Sequence, residues 1–124
     1  MNGKFLLDTN AVIALLAGHA PLTTLLQSAT WVGITVITEL EFLSFSNLSE
    51  RDKLLFEQFK SRIEVINLET NNTALIQAIC QIRQAHRLKL PDAVIAATAK
   101  HCEATLLSND AIFTRLKNMS HQFF

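Results

Sequence analysis

Short apolar runs alternate along the chain with longer stretches in which apolar residues recur every three or four positions. The runs are typical of buried strands, and the longer stretches are typical of helices that pack on one face. Strands are predicted at residues 5–7, 31–37, 63–68 and 104–108, with a further edge strand between 119 and 124. Helices are predicted at 11–17, from Pro21, from Thr38, from Ser49 to about 61, from Thr70, from Pro91 to about 103, and from about Asp110. Strands separated by helices predict an α/β fold with a mainly parallel central sheet of four to five strands.

Local signals set some of these boundaries. Gly18 is expected just beyond the end of the first helix, where a left-handed residue is common. Ser49 and Asp52 nearly match a capping box, which predicts the start of a helix. That helix is expected to turn Leu54 and Phe56 toward the core.

Composition indicates a compact chain. It has 124 residues, of which 49% are hydrophobic, with only three glycines and two prolines. We therefore expect one domain over residues 1–124. Eleven Lys and Arg balance eleven Asp and Glu, which excludes a generally basic nucleic-acid-binding protein but not an enzyme that acts on nucleic acid.

Cysteine content and hydropathy bear on the compartment. Cys80 and Cys102 can pair only once, so they are expected to be reduced residues of the core. No apolar run approaches the roughly 20 residues that span a bilayer, and the start of the chain does not resemble a signal peptide. The sequence predicts a soluble cytoplasmic protein without a membrane segment.

Acidic residues follow several of the predicted strands. Asp8 ends the first strand, Asp110 follows the fourth, Glu39 and Glu41 open the helix after the second, and Asp92 opens a helix of its own. Each has an ordinary explanation as a helix cap or a partner of the helix dipole. However, Asp8 and Asp92 have strongly apolar neighbours, and burying a carboxylate there is costly without a cation. An all-oxygen cluster suits Mg²⁺ or Mn²⁺ better than zinc.

Other kinds of catalytic site find no support. The chain has no glycine-rich phosphate loop and no Gly-x-Ser-x-Gly elbow, and its four histidines are not spaced as zinc ligands. What remains is water, activated by a metal ion, attacking a phosphorus or carbonyl centre.

Four segments together resemble the motifs of PIN-domain ribonucleases, especially the VapC toxins of bacterial toxin–antitoxin pairs. They are Phe5-Leu6-Leu7-Asp8-Thr9-Asn10, Ile34-Thr35-Val36-Ile37-Thr38 followed by Glu41, Leu90-Pro91-Asp92-Ala93-Val94-Ile95-Ala96-Ala97-Thr98-Ala99, and Leu106-Leu107-Ser108-Asn109-Asp110 followed by Phe113. The third is the most specific. The four occur in the family's order over nearly the whole chain, and the resemblance implies a three-layer α/β/α fold.

The resemblance also implies a site. Its catalytic acids would be Asp8, Glu41, Asp92 and Asp110, of which the three aspartates would bind the metal ion. Asn10 and Ser108 would support them by hydrogen bonds. Glu39 competes with Glu41 for the second position; residues two apart on a helix point about 200° apart, so one of them faces the site. The spacing from the preceding Ile-Thr-Val-Ile-Thr run favours Glu41.

Two departures from the family pattern concern the second and fourth motifs. The glycine that the family often places after the second acid is absent, and Ser44 or Phe45 stands there. The fourth motif commonly has another acid before its Phe, where this chain has Ile112, so Asp110 is the only carboxylate in that segment.

The function implied is that of a Mg²⁺- or Mn²⁺-dependent endoribonuclease toxin that cleaves RNA. Arg87, Lys89 and Arg115 are candidate contacts to the RNA backbone. Such toxins usually form homodimers and are neutralised by a small antitoxin, whose tail lies in an apolar groove and reaches the acidic site. Phe42, Phe45 and Leu48 are candidates for lining that groove.

Two alternatives come from other functional classes. A receiver-type signalling domain would need paired acids after the first strand and an aspartate after the third, and residues 64–68 contain no aspartate. A binding module that keeps a PIN-like fold without catalysis is the other alternative, and the presence of all four acids counts against it.

Overall fold

The computed structural model describes residues 3–124, so the expected domain boundary at residue 1 lies outside the described residues. The strands are β1 (Lys4–Leu7), β2 (Trp31–Thr35), β3 (Glu64–Ile66), β4 (Thr105–Leu107) and β5 (His121–Gln122). The α-helices are α1 (Thr9–Leu16), α2 (Ala20–Gln27), α3 (Val36–Leu43), α4 (Glu50–Lys60), α5 (Thr73–His86) and α6 (Leu90–His101), and a 3-10 helix covers Ala111–Arg115.

All five strands belong to one parallel sheet, in the order β3-β2-β1-β4-β5. The tail therefore forms an edge strand, as predicted, and β1 lies at the centre. Alternate side chains of β1 enter two separate cores: Leu6 packs with residues of α5 and α6, whereas Phe5 and Leu7 pack with residues of α1 to α4. Helices thus cover both faces of the sheet, which confirms the three-layer α/β/α fold.

Side-chain caps hold several helix starts in place. Asp8 caps α1 through its side chain, and Ser49 and Asp52 form the predicted capping box at α4. Gly18 follows the end of α1 with a φ of +89°, a left-handed conformation that disfavours residues with a Cβ. These local predictions are confirmed.

The boundary between β2 and α3 was predicted wrongly. The β-branched run suggested a strand to residue 37 and a cap at Thr38. Instead β2 ends at Thr35, whose hydroxyl accepts a hydrogen bond from the Thr38 amide and caps a helix that begins at Val36. A satisfied helix start and the packing of Phe42 in the core outweigh the weak strand preference of Val36 and Ile37.

Other differences concern the ends of elements and two surface residues. Strands β3 and β4 are shorter than predicted, and α5 begins at Thr73, with Asn72 as its cap, rather than at Thr70. Leu54 is 59% exposed, because it lies on the outer face of α4, while Phe56 is buried as predicted. Cys80 lies on the exposed side of α5 rather than in the core, and Cys102 is half-buried; both are free thiols.

Within residues 3–124 no single helix is long and apolar enough to span a membrane. The helices α1 and α2 together have the length and apolar composition of a membrane span, but they are bent by 100° relative to each other.

Candidate active site

A cavity of about 280 Å³ lies beyond the carboxyl ends of β1 and β4, where parallel sheets usually place their sites. Four carboxylates from four separate segments line it. Asp8 directly follows β1, Glu41 lies in α3, Asp92 lies in the first turn of α6, and Asp110 caps the 3-10 helix. The other lining residues are Thr9, Asn10, Phe45, Ile95 and Phe113. No lysine or arginine is among these lining residues, so the cavity concentrates negative charge.

Asp8 is the most buried of the four acids, with 5% of its surface exposed. Its Oδ1 accepts a hydrogen bond of 2.9 Å from the Ala11 amide. Burial raises the pKa of Asp8 above its usual 3.8, and the repulsion of Asp110 adds to this rise; hydrogen bonds from the Ser108 hydroxyl and the Ala11 amide act in the opposite direction. The fold thus holds a carboxylate where its charge is costly, which is the usual signature of a functional group.

Asp92 shares this environment. Its pKa is raised, chiefly by burial and then by the charges of Asp110 and Glu41, while the nearby Lys89 lowers it. The carboxylates therefore interact electrostatically across the cavity. Like-charge coupling of this kind is relieved when a cation binds between the acids.

Ser108 links two of the acids. It is fully buried, its hydroxyl lowers the pKa of the Asp8 carboxyl, and its Oγ accepts a hydrogen bond of 3.0 Å from the Asp110 amide. Asp110 itself is exposed, and its Oδ1 accepts a hydrogen bond from the Ile112 amide, also of 3.0 Å. Ser108 therefore lies beside two of the acids, and its supporting role stays a prediction.

The two glutamates of α3 have different partners. Glu41 lines the cavity, and its Oε1 accepts a hydrogen bond of 2.5 Å from the Thr9 hydroxyl. Glu39 points elsewhere and forms an ion pair of 2.7 Å with Lys60 of α4. The structure thus brings Glu41, and not Glu39, together with the three aspartates.

The remaining predicted residues lie at or beyond the rim. Asn10 lines the cavity and is exposed. Lys89 is close enough to lower the pKa of Asp92. Arg87, which ends α5 in a left-handed conformation, and Arg115, whose guanidinium donates a hydrogen bond of 2.6 Å to the His86 carbonyl, are both exposed and do not line the cavity.

Two residues near the acids were given no role by the sequence. Thr9 holds Glu41, and its position directly after Asp8 was a signal that could have found it. His121 lies in β5, with its Nε2 3.0 Å from the Ser108 carbonyl oxygen, and its charge lowers the pKa of Asp8. The pairing of β5 with β4 brings His121 there, and no local pattern in the sequence indicates it.

The donor chemistry of the cavity fits a hard divalent cation. All four acids offer carboxylate oxygens, the ligands that Mg²⁺ and Mn²⁺ prefer. Within the described chain, however, no group of three or more Asp, Glu, His or Cys side chains is gathered closely enough to hold a metal ion. The four acids surround one cavity without forming a closed coordination shell.

Comparisons with known proteins agree with this architecture. The family model described as "PIN domain" matches residues 5–119. Comparison with curated protein sequences gave no match.

Three similar solved structures cover nearly the whole chain. VapBC2 from Rickettsia felis, bound to a DNA fragment from its promoter, has a TM-score of 0.81 at 22% identity and covers 97% of this chain and 98% of its own. DNA-bound VapBC from Salmonella typhimurium has a TM-score of 0.80 at 24% identity and covers 97% of each chain. A toxin–antitoxin complex from Klebsiella pneumoniae has a TM-score of 0.75 at 25% identity, covering 92% of this chain and 93% of its own.

Proposed function

Because the chain belongs to the PIN-domain family, whose model matches residues 5–119, we propose that it is a Mg²⁺- or Mn²⁺-dependent endoribonuclease and the toxin of a toxin–antitoxin pair. The convergence of Asp8, Glu41, Asp92 and Asp110 on one cavity is the observation that carries this proposal. Solved structures of similar fold are toxin–antitoxin complexes, which supports the assignment as a toxin.

The three aspartates would hold the cation. Asp8 and Asp92 pay an electrostatic cost for their burial, and a cation that neutralises them removes it. When bound, the divalent cation neutralises charge on the phosphodiester and lowers the pKa of an attacking water. Without a cation the cavity would repel RNA, since its described lining residues include four carboxylates and no lysine or arginine.

Residues of the chain orient these acids. The Ser108 hydroxyl lowers the pKa of Asp8, and its Oγ accepts a hydrogen bond from the backbone amide of Asp110, so Ser108 would support both acids. The Thr9 hydroxyl donates a hydrogen bond to Oε1 of Glu41. We assign Oε2 of Glu41 to accept the proton of the attacking water, a role for which a positioned carboxylate is suited.

Substitution of the buried aspartates tests the proposed chemistry. Purified protein is incubated with RNA in Mg²⁺, and new 5′ ends are mapped. Asp8→Asn and Asp92→Asn should abolish cleavage, as should EDTA, while the matched control Glu39→Gln should retain it, because Glu39 pairs with Lys60 outside the cavity. Cleavage by Asp8→Asn, or undiminished cleavage in EDTA, would contradict the mechanism. RNA binding without cleavage by the wild type would instead favour the alternative of an inactive binding module.

The antitoxin is proposed to occupy an apolar groove next to the active site. This groove, about 270 Å³ in volume, is lined mainly by Ile13, Leu16, Phe42, Phe45 and Leu48. Phe45 also lines the acidic cavity, so the two lie next to each other. Phe45 and Ile13 are exposed by 44% and 37%, and a partner would cover them.

Two further parts of the proposal concern RNA and assembly. Lys89 lies beside Asp92 and is the best placed of the predicted cations to contact the RNA backbone near the cleaved bond; Arg87 and Arg115 would act at a greater distance. The homodimer implied by the family resemblance stays a prediction, which sedimentation analysis of the purified chain would test.

A further inference from the structure

A second cavity, of about 500 Å³, lies between α5, α6 and the loop after the 3-10 helix. We name it the α5–α6 groove and define it by Ile82, His86, Ala97, Lys100, His101 and Lys117. Its wall is apolar at Ile82 and Ala97, and the other four side chains carry nitrogen. None of the described residues that line it is acidic. Its size is typical of a ligand site, and its chemistry favours an anion attached to an apolar group.

Among the described residues, the two lysines of this groove have no acidic partner. Lys100 and Lys117 are exposed and form no salt bridge within residues 3–124, whereas Lys53 and Lys60 both pair with glutamates. Lys100 lies in the last turn of α6, where a cation offsets the helix dipole. Lys117 lies outside any helix, so the dipole does not account for it. Two uncompensated cations beside an apolar wall form a favourable site for a phosphate-bearing ligand.

The 3-10 helix joins the acidic cavity to the loop that borders the groove. The 3-10 helix begins directly after Asp110 of the cavity and ends at Arg115, a length of about 10 Å. The Arg115 guanidinium donates a hydrogen bond to the His86 carbonyl, and the His86 side chain lines the groove. The 3-10 helix and Arg115 therefore mark the path that a strand of RNA would take from the cavity to the groove, a length of a few nucleotides.

We propose that the α5–α6 groove binds the single-stranded RNA that flanks the cleaved bond, with its phosphates on Lys100 and Lys117 and a base against the apolar wall. This inference rests on the proposed nuclease function, since it assigns RNA as the occupant. An unpaired strand offers both chemistries that the groove presents, a charged backbone and the apolar face of a base.

Binding without cleavage tests the groove. The probe is a fluorescein-labelled single-stranded RNA of about 12 nucleotides, within the usual range of site sizes for such strands. Fluorescence anisotropy is measured in EDTA, which prevents cleavage and leaves the acidic cavity repulsive. The double variant Lys100→Gln/Lys117→Gln should bind roughly 25-fold more weakly at 0.1 M salt, and the slope of log K against log salt should fall by about 1.4, because each lost phosphate contact removes about 0.7 from it.

A matched control removes two charges elsewhere. Arg51 and Arg62 are exposed, form no salt bridge within residues 3–124 and lie outside the groove, so Arg51→Gln/Arg62→Gln should bind RNA as the wild type does. The groove assignment is overturned if the groove variant also binds as tightly as the wild type, or if both variants lose affinity equally. It is also overturned if polyglutamate displaces the RNA more effectively than unlabelled RNA does, which would indicate a site for an acidic peptide. Thermal unfolding of both variants confirms that they are folded.

A cleavage assay separates this inference from the proposed function. An RNA too short to reach the groove should be cleaved in Mg²⁺ equally by the wild type and the Lys100→Gln/Lys117→Gln variant. If the wild type cleaves RNA but the groove variant binds the longer probe normally, only the groove assignment fails. If the wild type binds RNA through both lysines but cleaves no RNA, the nuclease function fails and the groove assignment stands.

Discussion

Replacing Asp8 by Asn is expected to stabilise the protein and at the same time to abolish cleavage. Asp8 is almost completely buried, and burial is the main cause of its raised pKa. Its ionised form therefore destabilises the fold at neutral pH. Asn removes the charge, and its side-chain oxygen can still accept the hydrogen bond that the Ala11 amide donates at the start of α1.

The size of the effect follows from these two contributions. Relieving the buried charge should raise the free energy of unfolding by about 1 kcal/mol, within the range that single stabilising substitutions commonly reach. For a chain of this length this corresponds to a rise in Tm of about 3–5 °C. Asp8→Ala is the matched control: it removes the same charge but also the helix cap, which costs about 1 kcal/mol. Its Tm should therefore lie close to that of the wild type.

Thermal unfolding in EDTA, followed by circular dichroism across a pH series, measures these differences. A pKa raised in the folded state means that the folded protein binds the proton more tightly than the unfolded chain. As pH falls through the pKa that Asp8 has in the folded protein, the Tm of the wild type should therefore rise relative to that of Asp8→Asn. The difference in Tm should disappear near pH 3.8, the usual pKa of the carboxyl. An Asp8→Asn protein that is less stable than Asp8→Ala at neutral pH would refute the reasoning.

Three further predictions concern the acids and the apolar groove. Glu41→Gln should lower the rate of RNA cleavage about 100-fold, the scale of a lost proton transfer, whereas Glu39→Gln should leave the rate within about twofold, since Glu39 pairs with Lys60 outside the cavity. Ser108→Ala should raise the pKa of Asp8, because the Ser108 hydroxyl now lowers it. The acidic limb of the pH–rate profile should therefore move to higher pH. Phe45→Ala should weaken antitoxin binding about 30-fold in titration calorimetry, as expected of a central apolar contact. Leu54→Ala, on the outer face of α4, should not change it.

Much of the architecture could be predicted because its causes are local. Apolar runs mark the strands, and the capping box at Ser49 and the left-handed Gly18 involve only neighbouring residues. The β2–α3 boundary could not be predicted in this way. Its sequence is compatible with strand and helix alike, and the cap by Thr35 together with the packing of Phe42 selects the helix.

The candidate site shows the same division. The order of four acidic segments, each after a strand or at a helix start, is a property of the sequence, and it was enough to predict the family that the comparison shows. The sequence left Glu39 and Glu41 as competitors, although the spacing favoured Glu41. The tertiary structure separates them, because Glu39 pairs with Lys60 of α4, whereas Glu41 accepts a hydrogen bond from Thr9 of the first motif.

The sequence alone therefore determined which elements form, which acids follow them and how those acids are ordered along the chain, because periodicity, caps and motifs depend on residues close together in the chain. Only the tertiary structure decided that the four carboxylates share one cavity, that His121 approaches Ser108, and that two lysines line a second groove in which none of the described lining residues is acidic. These arrangements depend on packing between segments far apart in the chain, and the burial that raises the pKa of Asp8 exists only once those segments have packed together.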